Sequence, residues 1–591
     1  MKGWGIMEKL HEKTNGYPSM EQPWKKFYNN EELARVKSLK TVYEQMREVA
    51  IRYPDYLALE FFGAKKDFKT FKENIDKTAK AFKEYGVKKG SFVTVCVAGI
   101  PETAYTFYAL SKLGAVANMI APHFDKKDLI NRIEDCESDI FICMDKFYDI
   151  LKDSIKKSRI KNIIVLPTLN SSLLHIISKK YKLEKHSNEV YWNQFIKDGK
   201  NTRGITTTHY EPNMPVAMVY SSGTTGASKG ILLSNDSFQN SINSYLASGV
   251  ELVAGKKFYQ IIPPWFSTGL STSMHLPLSI GASVFMDPRF ERDVFVKNVI
   301  KAKPNYSVAP TSMYEGFLDA NLVGDADLSH FIYPFEGGEP LTKEVAGKIE
   351  TVFKTHNNPV HLLVGYGQCE CGATITTETP LTRHSDASVG IPLPGINLRI
   401  VDDNFNELPF NARGQVLAYT PCSMIGYYNN EQATNEYFHI DDKGFKWNCT
   451  GDVGYIDEDG QLYVQGRATD FTIVNEQKIY NFDIEKVLML MTEIKNCDVV
   501  SRNNEDGTQS LVAHVIINDG YSLNEELLEK FRFNIYSVFG DVDYVPNIFK
   551  IRESFPYAPS GKRDVNKMKL ETDGFIELPE YSVKTKQLTN K

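Results

Sequence analysis

Thirteen residues, Met218-Val219-Tyr220-Ser221-Ser222-Gly223-Thr224-Thr225-Gly226-Ala227-Ser228-Lys229-Gly230, gather hydroxyls, glycines and one lysine between two apolar stretches. That composition suits a phosphate chain. Small residues let backbone N–H groups turn inward, hydroxyls add donors, and Lys229 supplies a point charge. The glycines permit the positive φ angles such a loop needs. A P-loop NTPase would show G-x-x-x-x-G-K-[ST] followed by a helix. Here Gly223 and Gly226 are three apart, Lys229 follows Ala227-Ser228, and a strand-like run follows. The segment therefore reads as a phosphate loop of another kind. A flexible Ser/Gly/Thr linker can share its composition, but linkers seldom lie between apolar strands.

The elements that must hold this loop are Val216–Tyr220, read as a buried strand, and Ile231-Leu232-Leu233, read as a second short one. From residue 40 to about 145, helix-like Lys69–Tyr85, strand-like Phe92–Val97 and helix-like Glu102–Leu113 alternate. Such alternation predicts an α/β domain with a largely parallel sheet. After Thr469 the pattern restarts as a compact α+β unit: Ile484–Met491 helical, Cys497–Ser501 and Leu511–Ile517 strand-like, Glu525–Phe539 helical. Asp459-Gly460 reads as a hairpin turn.

The chain has 591 residues, 42% of them hydrophobic and 24% charged, so two or three globular domains are expected. A formal charge of −6 argues against generic nucleic-acid binding. Eight cysteines are too sparse for a disulfide scaffold, and Cys369 and Cys371 have no matching pair that would signal zinc or a redox motif. Met1-Lys2-Gly3-Trp4 leads into mixed polar sequence instead of an apolar stretch, and no apolar run is long enough to span a bilayer. A cytoplasmic, non-transmembrane protein is expected, with peripheral membrane contact possible. Between Lys152 and Lys185, nine Lys/Arg face two Asp/Glu. This reads either as a solvated helix face or as a docking patch for anionic lipid, an acidic carrier protein or a CoA phosphate.

The loop resembles the signature loop of adenylate-forming, AMP-binding enzymes (acyl-CoA synthetases, peptide-synthetase adenylation domains, beetle luciferases), and the likeness extends over roughly residues 40–570. Further stretches carry it in order: Leu110–Asn118, Gln260–Gly269, Leu276–Ala282, Tyr306–Tyr314, Glu336–Leu341, Gly365–Glu370, Val389–Gly395, Trp447–Tyr455, Gly466–Asp470 and Phe555–Lys562. Pro23–Tyr28 is similar to the start of some fatty acyl-CoA synthetases. The fold implied is α/β: a large N-terminal domain of several subdomains with mostly parallel sheets, plus a small mobile α+β C-terminal domain. The division expected is an extension over 1–40, an AMP-binding domain over 41–467 holding the ATP and carboxylate sites, a mobile domain over 468–572 hinged at Thr469, and a tail over 573–591.

The resemblance assigns nucleotide contacts to Ser221, Ser222, Gly223, Thr224, Thr225, Gly226 and Lys229, to the turn Gly337, Gly338, Glu339 and Pro340, and to Gly365, Tyr366, Gly367 and Cys369. Tyr366 offers a face for adenine. Asp452 matches the acid that accepts from the ribose hydroxyls, and Arg467 is expected at ribose and phosphate. Glu370 and Thr225 are the implied Mg²⁺ ligands, and both count with Lys562 as catalytic. Trp265, Phe266, Ser267, Gly269, Thr311 and Gly338 are the implied wall of the carboxylate pocket. Ser267 stands where amino-acid-activating members carry an Asp for the substrate amine. The implied substrate is thus an acyl or aryl acid without an α-ammonium group.

The implied reaction consumes ATP, forms acyl-AMP and pyrophosphate, and passes the acyl group to a thiol, with CoA the expected acceptor. Three departures from the family pattern bear on this. Cys369 replaces the usual Thr, a weaker donor; Asn475-Glu476-Gln477-Lys478 replaces the Gly-Gly-Glu-Asn common in thiol-transferring members; and Thr469 replaces the usual hinge residue. They leave two alternatives: a ligase loading an acyl carrier protein, or a catalytically idle nucleotide- or acyl-binding homologue.

Overall fold

The computed structural model describes residues 16–28, 39–122, 125–173, 188–221, 228–382, 387–556 and 563–582. The chain divides into two compact units. Among the described residues, one comprises those up to 221, 228–450 and 454–464; the other comprises 451–453 and those from 465 on.

In the larger unit the order begins with the hairpin β1 (Leu57–Phe61) and β2 (Ala64–Asp67), then β3 (Phe92–Cys96), β4 (Val116–Met119), β5 (Ile140–Met144), β6 (Asn162–Leu166) and β7 (Glu189–Tyr191). β3 to β6 are almost wholly apolar because both their faces are covered. Helices join them. Phe68–Glu84 starts where the Asp67 side chain accepts from Thr70 N. Pro101–Leu113 starts on a proline and ends at Gly114, whose φ of +71° closes the C-terminus. β8 (Pro215–Tyr220) and β9 (Gly230–Ser234) then form the antiparallel pair on either side of the Ser/Gly/Thr loop.

The chain continues through β10 (Lys257–Gln260), β11 (Ser283–Met286), β12 (Tyr306–Ala309), β13 (Tyr333–Gly337), β14 (Leu363–Gln368), β15 (Ala373–Thr377) and β16 (Ile391–Pro392). β17 (Asn397–Val401), β18 (Gly414–Tyr419), β19 (Gly426–Tyr427), β20 (Phe438–Ile440), β21 (Lys446–Ile456) and β22 (Leu462–Arg467) follow. Two large sheets result. One has nine strands in the order β16-β15-β14-β13-β12-β10-β11-β1-β2, the other eight in the order β19-β9-β8-β4-β3-β5-β6-β7; a smaller sheet contains β17-β18-β21-β20. β10 to β14 are parallel to one another, as are β8 and β4 and the run from β4 to β7. In the eight-stranded sheet, the helices over 68–84 and 101–113 pack in one core, and those over 126–135 and 145–155 in another, so the sheet is wound on both faces. The expected α/β class with mostly parallel sheets is what the structure has. All eight cysteines are free thiols.

The N-terminal aromatic piece is anchored. Trp24 is buried in the core that also holds Ile400, Val416 and Leu462, and Ser19 donates through N and Oγ to Glu407.

The smaller unit carries β23 (Phe471–Val474) paired with β24 (Gln477–Tyr480), and a sheet β25 (Ile494–Asn503), β26 (Gln509–Ile517), β27 (Ile548–Ile551), β28 (Ile576–Glu577). Helices Asn481–Met489 and Glu525–Phe539 cover it through Ile484, Leu488, Phe531 and Ile535. It is the α+β alternation the sequence predicts.

Candidate active site

β10, β12, β13 and β14 are parallel neighbours, so the segments leaving their carboxyl ends emerge along one edge, where open α/β sheets take ligands. Trp265, Phe266, Ser267 and Gly269 follow β10; Thr311 follows β12; Gly337, Gly338, Glu339 and Pro340 end β13; Gly365, Tyr366, Gly367, Cys369 and Glu370 end β14. Residues more than a hundred apart in the chain are thereby set side by side by strand pairing alone.

The backbone along this edge is tight. A Cβ on Gly269 would lie 2.0 Å from the Pro263 carbonyl oxygen, and one on Gly367 would lie 1.8 Å from that of Ala373. Gly338 has φ +96°, a region closed to most side chains. Ser267 is fully buried and its Oγ has no partner among the described residues. The helix it begins runs into a π-helical turn over Ser271–His275, a distortion frequent at functional sites.

Thr311 Oγ1 donates to Glu336 Oε1 (2.9 Å) and to the Pro340 carbonyl (3.2 Å), tying the end of β12 to the turn after β13. Ser312 N donates to Glu339 Oε2 (2.8 Å) and Ser312 Oγ to Oε1 (3.1 Å). Glu339 thus closes the start of the helical turn at 311–314. Glu336 is buried, and burial pushes its carboxyl up to about 8, helped by the nearby charges of Glu339 and Glu378.

The Ser/Gly/Thr loop between β8 and β9 is held at its base. Ser221 N donates to the Lys229 carbonyl (3.1 Å), Lys229 N to Ser221 Oγ (3.0 Å) and Ser228 Oγ to the Ser221 carbonyl (2.5 Å). Ser222, Gly223, Thr224, Thr225 and Gly226 lie outside the described residues, as does Lys562. β19 adds to β9 with Tyr427 opposite Ile231. That pairing places Lys229 Nζ 4.8 Å from the centre of the Tyr427 ring, a cation–π distance. The Tyr427 hydroxyl donates to Glu370 Oε1 (3.0 Å), and Met424 N to the Glu370 carbonyl (2.7 Å). Burial and the Glu370 charge raise the Tyr427 phenol far above its ordinary range, so it stays a donor. Lys229 and Glu370 are thereby fixed on two sides of one aromatic ring. At the end of β14, Gln368 Nε2 donates to the Tyr437 hydroxyl (2.8 Å).

Within the smaller unit, Arg467 Nε lies 3.3 Å from Asp452 Oδ1, and Ala468 N donates to the Gly451 carbonyl (2.8 Å). The two residues expected at the ribose thus pair with each other here. Thr469 sits in the turn between Arg467 and Asp470, where Asp470 N donates to the Arg467 carbonyl (3.0 Å). Asn475 and Glu476 form the two-residue loop between β23 and β24 with φ of +47° and +68°, the left-handed pair that a type I′ hairpin requires. Asn475 Nδ2 also donates to Asp543 Oδ1 (2.8 Å).

Among the described residues no cluster of three or more His, Cys, Asp or Glu could hold a metal ion. One carboxylate, Glu370, anchored through one oxygen by Tyr427, is a donor set that suits Mg²⁺, which keeps several waters and is shared with phosphates. Tyr427 escaped the sequence reading, and Glu336 entered it only as the first residue of the Glu336–Leu341 stretch, with no role of its own. What marks them is a strand pairing and a burial that only the fold reveals.

Residues 46–428 match the family model described as AMP-binding enzyme. A long-chain-fatty-acid–CoA ligase of Bacillus subtilis is 24% identical over 539 residues, 88% of this chain and 93% of the ligase. A probable 4-coumarate–CoA ligase 1 of Dictyostelium discoideum is 27% identical over 466 residues, 77% of this chain and 82% of the relative. Among solved structures, ATP-bound MatB from Rhodopseudomonas palustris superposes with a TM-score of 0.76 at 19% identity, over 89% of this chain and 98% of MatB. The anthranilate CoA ligase AuaEII in complex with anthranoyl-AMP gives 0.74 at 18% identity, over 91% and 98%. These likenesses show a shared fold. Among the described residues no helix is long and apolar enough to cross a membrane.

Proposed function

The chain belongs to the AMP-binding enzyme family, as an acid–thiol ligase that converts ATP to AMP and pyrophosphate, and on that premise we propose that it activates a carboxylic acid without an α-amino group, such as a fatty or aryl acid, and passes it to CoA. The observation that carries this reading is the Lys229–Tyr427–Glu370 arrangement at the base of the phosphate loop. It fixes one cation and one hard oxygen beside donors from β8 and β9, where a triphosphate needs charge on two sides.

In the proposed first step a carboxylate oxygen of the acid attacks the α-phosphorus of ATP, and the bond to pyrophosphate breaks. The chain contributes position and charge neutralisation. Ser221 through Lys229, including Ser222, Gly223, Thr224 and Gly226, hold the β- and γ-phosphates. Glu370 and Thr225 would hold Mg²⁺, which when bound would neutralise phosphate charge. Gly337 to Pro340 and Gly365 to Gly367 approach the adenine, Asp452 and Arg467 hold the ribose, and Lys562 bridges the reacting oxygens. Trp265, Phe266, Ser267, Gly269 and Thr311 line the acid. The buried, uncharged Ser267 supports an acid with no ammonium group, since a hydroxyl offers no countercharge to one. In the second step the domain over 468–572 turns about Thr469, withdraws Lys562 and admits the thiol.

The type I′ turn at Asn475-Glu476 favours a second reading of the acceptor, an acyl carrier protein, because it puts side chains where glycines are common in thiol-transferring members. Pyrophosphate exchange over a panel of fatty, aryl and short acids tests the first step, and AMP release with CoA or with an acyl carrier protein separates the acceptors. Lys562→Ala is expected to slow acyl-adenylate formation by the equivalent of several kcal/mol; formation at the parental rate refutes the assignment.

A further inference from the structure

The larger unit contains a cavity of about 400 Å³ whose lining comes from β2, the helices over 68–84, 101–113 and 192–198, and the turn over 170–173. None of these segments follows β8, β10, β12, β13 or β14, so it is a different place from the edge described above. Glu102 and Tyr105 come to it from the first turns of the helix that follows β3. The volume falls in the usual range for small-molecule sites.

Glu102 lines this cavity and is only 1% exposed. Its Oε1 accepts from Asn170 Nδ2 (2.7 Å) and Ser171 Oγ (2.5 Å), while Oε2 has no partner among the described residues. Burial raises the Glu102 pKa above its ordinary value. A carboxylate this far from water is destabilising until a donor or a cation reaches the second oxygen. Lys66 and Lys77 line the same cavity, Lys66 half-buried and Lys77 exposed. Buried Tyr105 and Trp192 form its aromatic wall.

These charges select against simple ions. A lone anion meets Glu102, and a lone cation meets two lysines. We propose that this cavity binds a small zwitterion of the amino-acid type, its ammonium group on Glu102 Oε2, its anionic end on Lys66 and Lys77, and its spacer against Tyr105 and Trp192. The site is separate from the carboxylate pocket and does not depend on which acid is activated.

Calorimetric titration of the full-length protein with glycine, 4-aminobutanoate and 6-aminohexanoate tests this, with butylamine as the single-charge control. At least one zwitterion is expected to bind more tightly than butylamine. Glu102→Gln and, independently, the double substitution Lys66→Met/Lys77→Met are each expected to weaken it by about tenfold or more, the scale of losing a hydrogen bond to a charged group. The lysine pair lies at the surface end of the cavity, so that variant reports even if Glu102→Gln fails to fold. Pyrophosphate exchange is expected unchanged in both, which separates this site from the reaction site. Absence of zwitterion binding, or binding undiminished in both variants, overturns the proposal. Failure of pyrophosphate exchange in the parent protein bears on the proposed function and leaves this titration readable.

Discussion

Tyr427 does two things at the site. Its ring face receives Lys229 and its hydroxyl donates to Glu370. Tyr427→Phe keeps the ring and removes the hydroxyl, so the lysine stays placed while Glu370 loses its fixed orientation. A hydrogen bond to a charged group contributes roughly 1.5–3 kcal/mol. Pyrophosphate exchange in this variant is accordingly expected to fall by about tenfold to a hundredfold, with more Mg²⁺ needed for half-maximal rate. An unchanged rate and Mg²⁺ requirement would show that Glu370 needs no such support. Glu336 acts on stability instead. Its carboxyl is raised from 4.5 to about 8 by burial, so between those values the folded chain holds a proton that the unfolded chain has lost. Stability therefore falls as pH rises through that window, and the loss is complete above about 8. Glu336→Gln stays neutral throughout. Urea midpoints measured at pH values inside and above the window are expected to decline less in this variant than in the parent; equal declines contradict the reading. Glu485, also pushed to about 8 by burial, keeps its own share of the decline in both proteins.

At the scale of elements, what was legible in the chain was local, and what was not depended on pairing. Phe68–Glu84, Pro101–Leu113, β3, β8 and β26 lie within a residue or two of where their apolar patterning and caps put them, because propensity and burial agree there. The site glycines were legible too, since close backbone approach at Gly269 and Gly367 admits nothing larger. Tyr427 was not, because the two-residue β19 joins β9 across nearly two hundred residues. The β23–β24 hairpin is a mixed case: Asn475-Glu476 was seen as a departure from the family pattern, but its type I′ geometry was not. Asn tolerates the left-handed region, whereas Glu476 at φ +68° does so at a cost of roughly 1–2 kcal/mol. Glu476→Gly is therefore expected to stabilise the small unit by about 0.5–1 kcal/mol, read as a higher denaturation midpoint for the transition reported by that unit. A lower midpoint would mean that the side chain makes a compensating contact.

For the molecule as a whole, β8 and β9 of the eight-stranded sheet, with Ser221 and Lys229 at their ends, and the row of carboxyl-end turns of the nine-stranded sheet belong to the same unit. The Asp452–Arg467 pair and the turn holding Thr469 belong to the smaller unit. On the proposed function the large unit supplies Lys229, Glu370 and the acid pocket, and the small one brings the lysine and later gives way to the thiol. Every part of that account requires that a carboxyl oxygen displace pyrophosphate from ATP. The most direct measurement is the release of pyrophosphate by the purified full-length protein, given Mg²⁺, ATP and each of a broad panel of fatty, aryl and short carboxylic acids without CoA. The account predicts an acid-dependent burst of pyrophosphate, accompanied by bound acyl-adenylate, for at least one acid that lacks an α-amino group. Pyrophosphate that never rises above the acid-free background with any acid would contradict it.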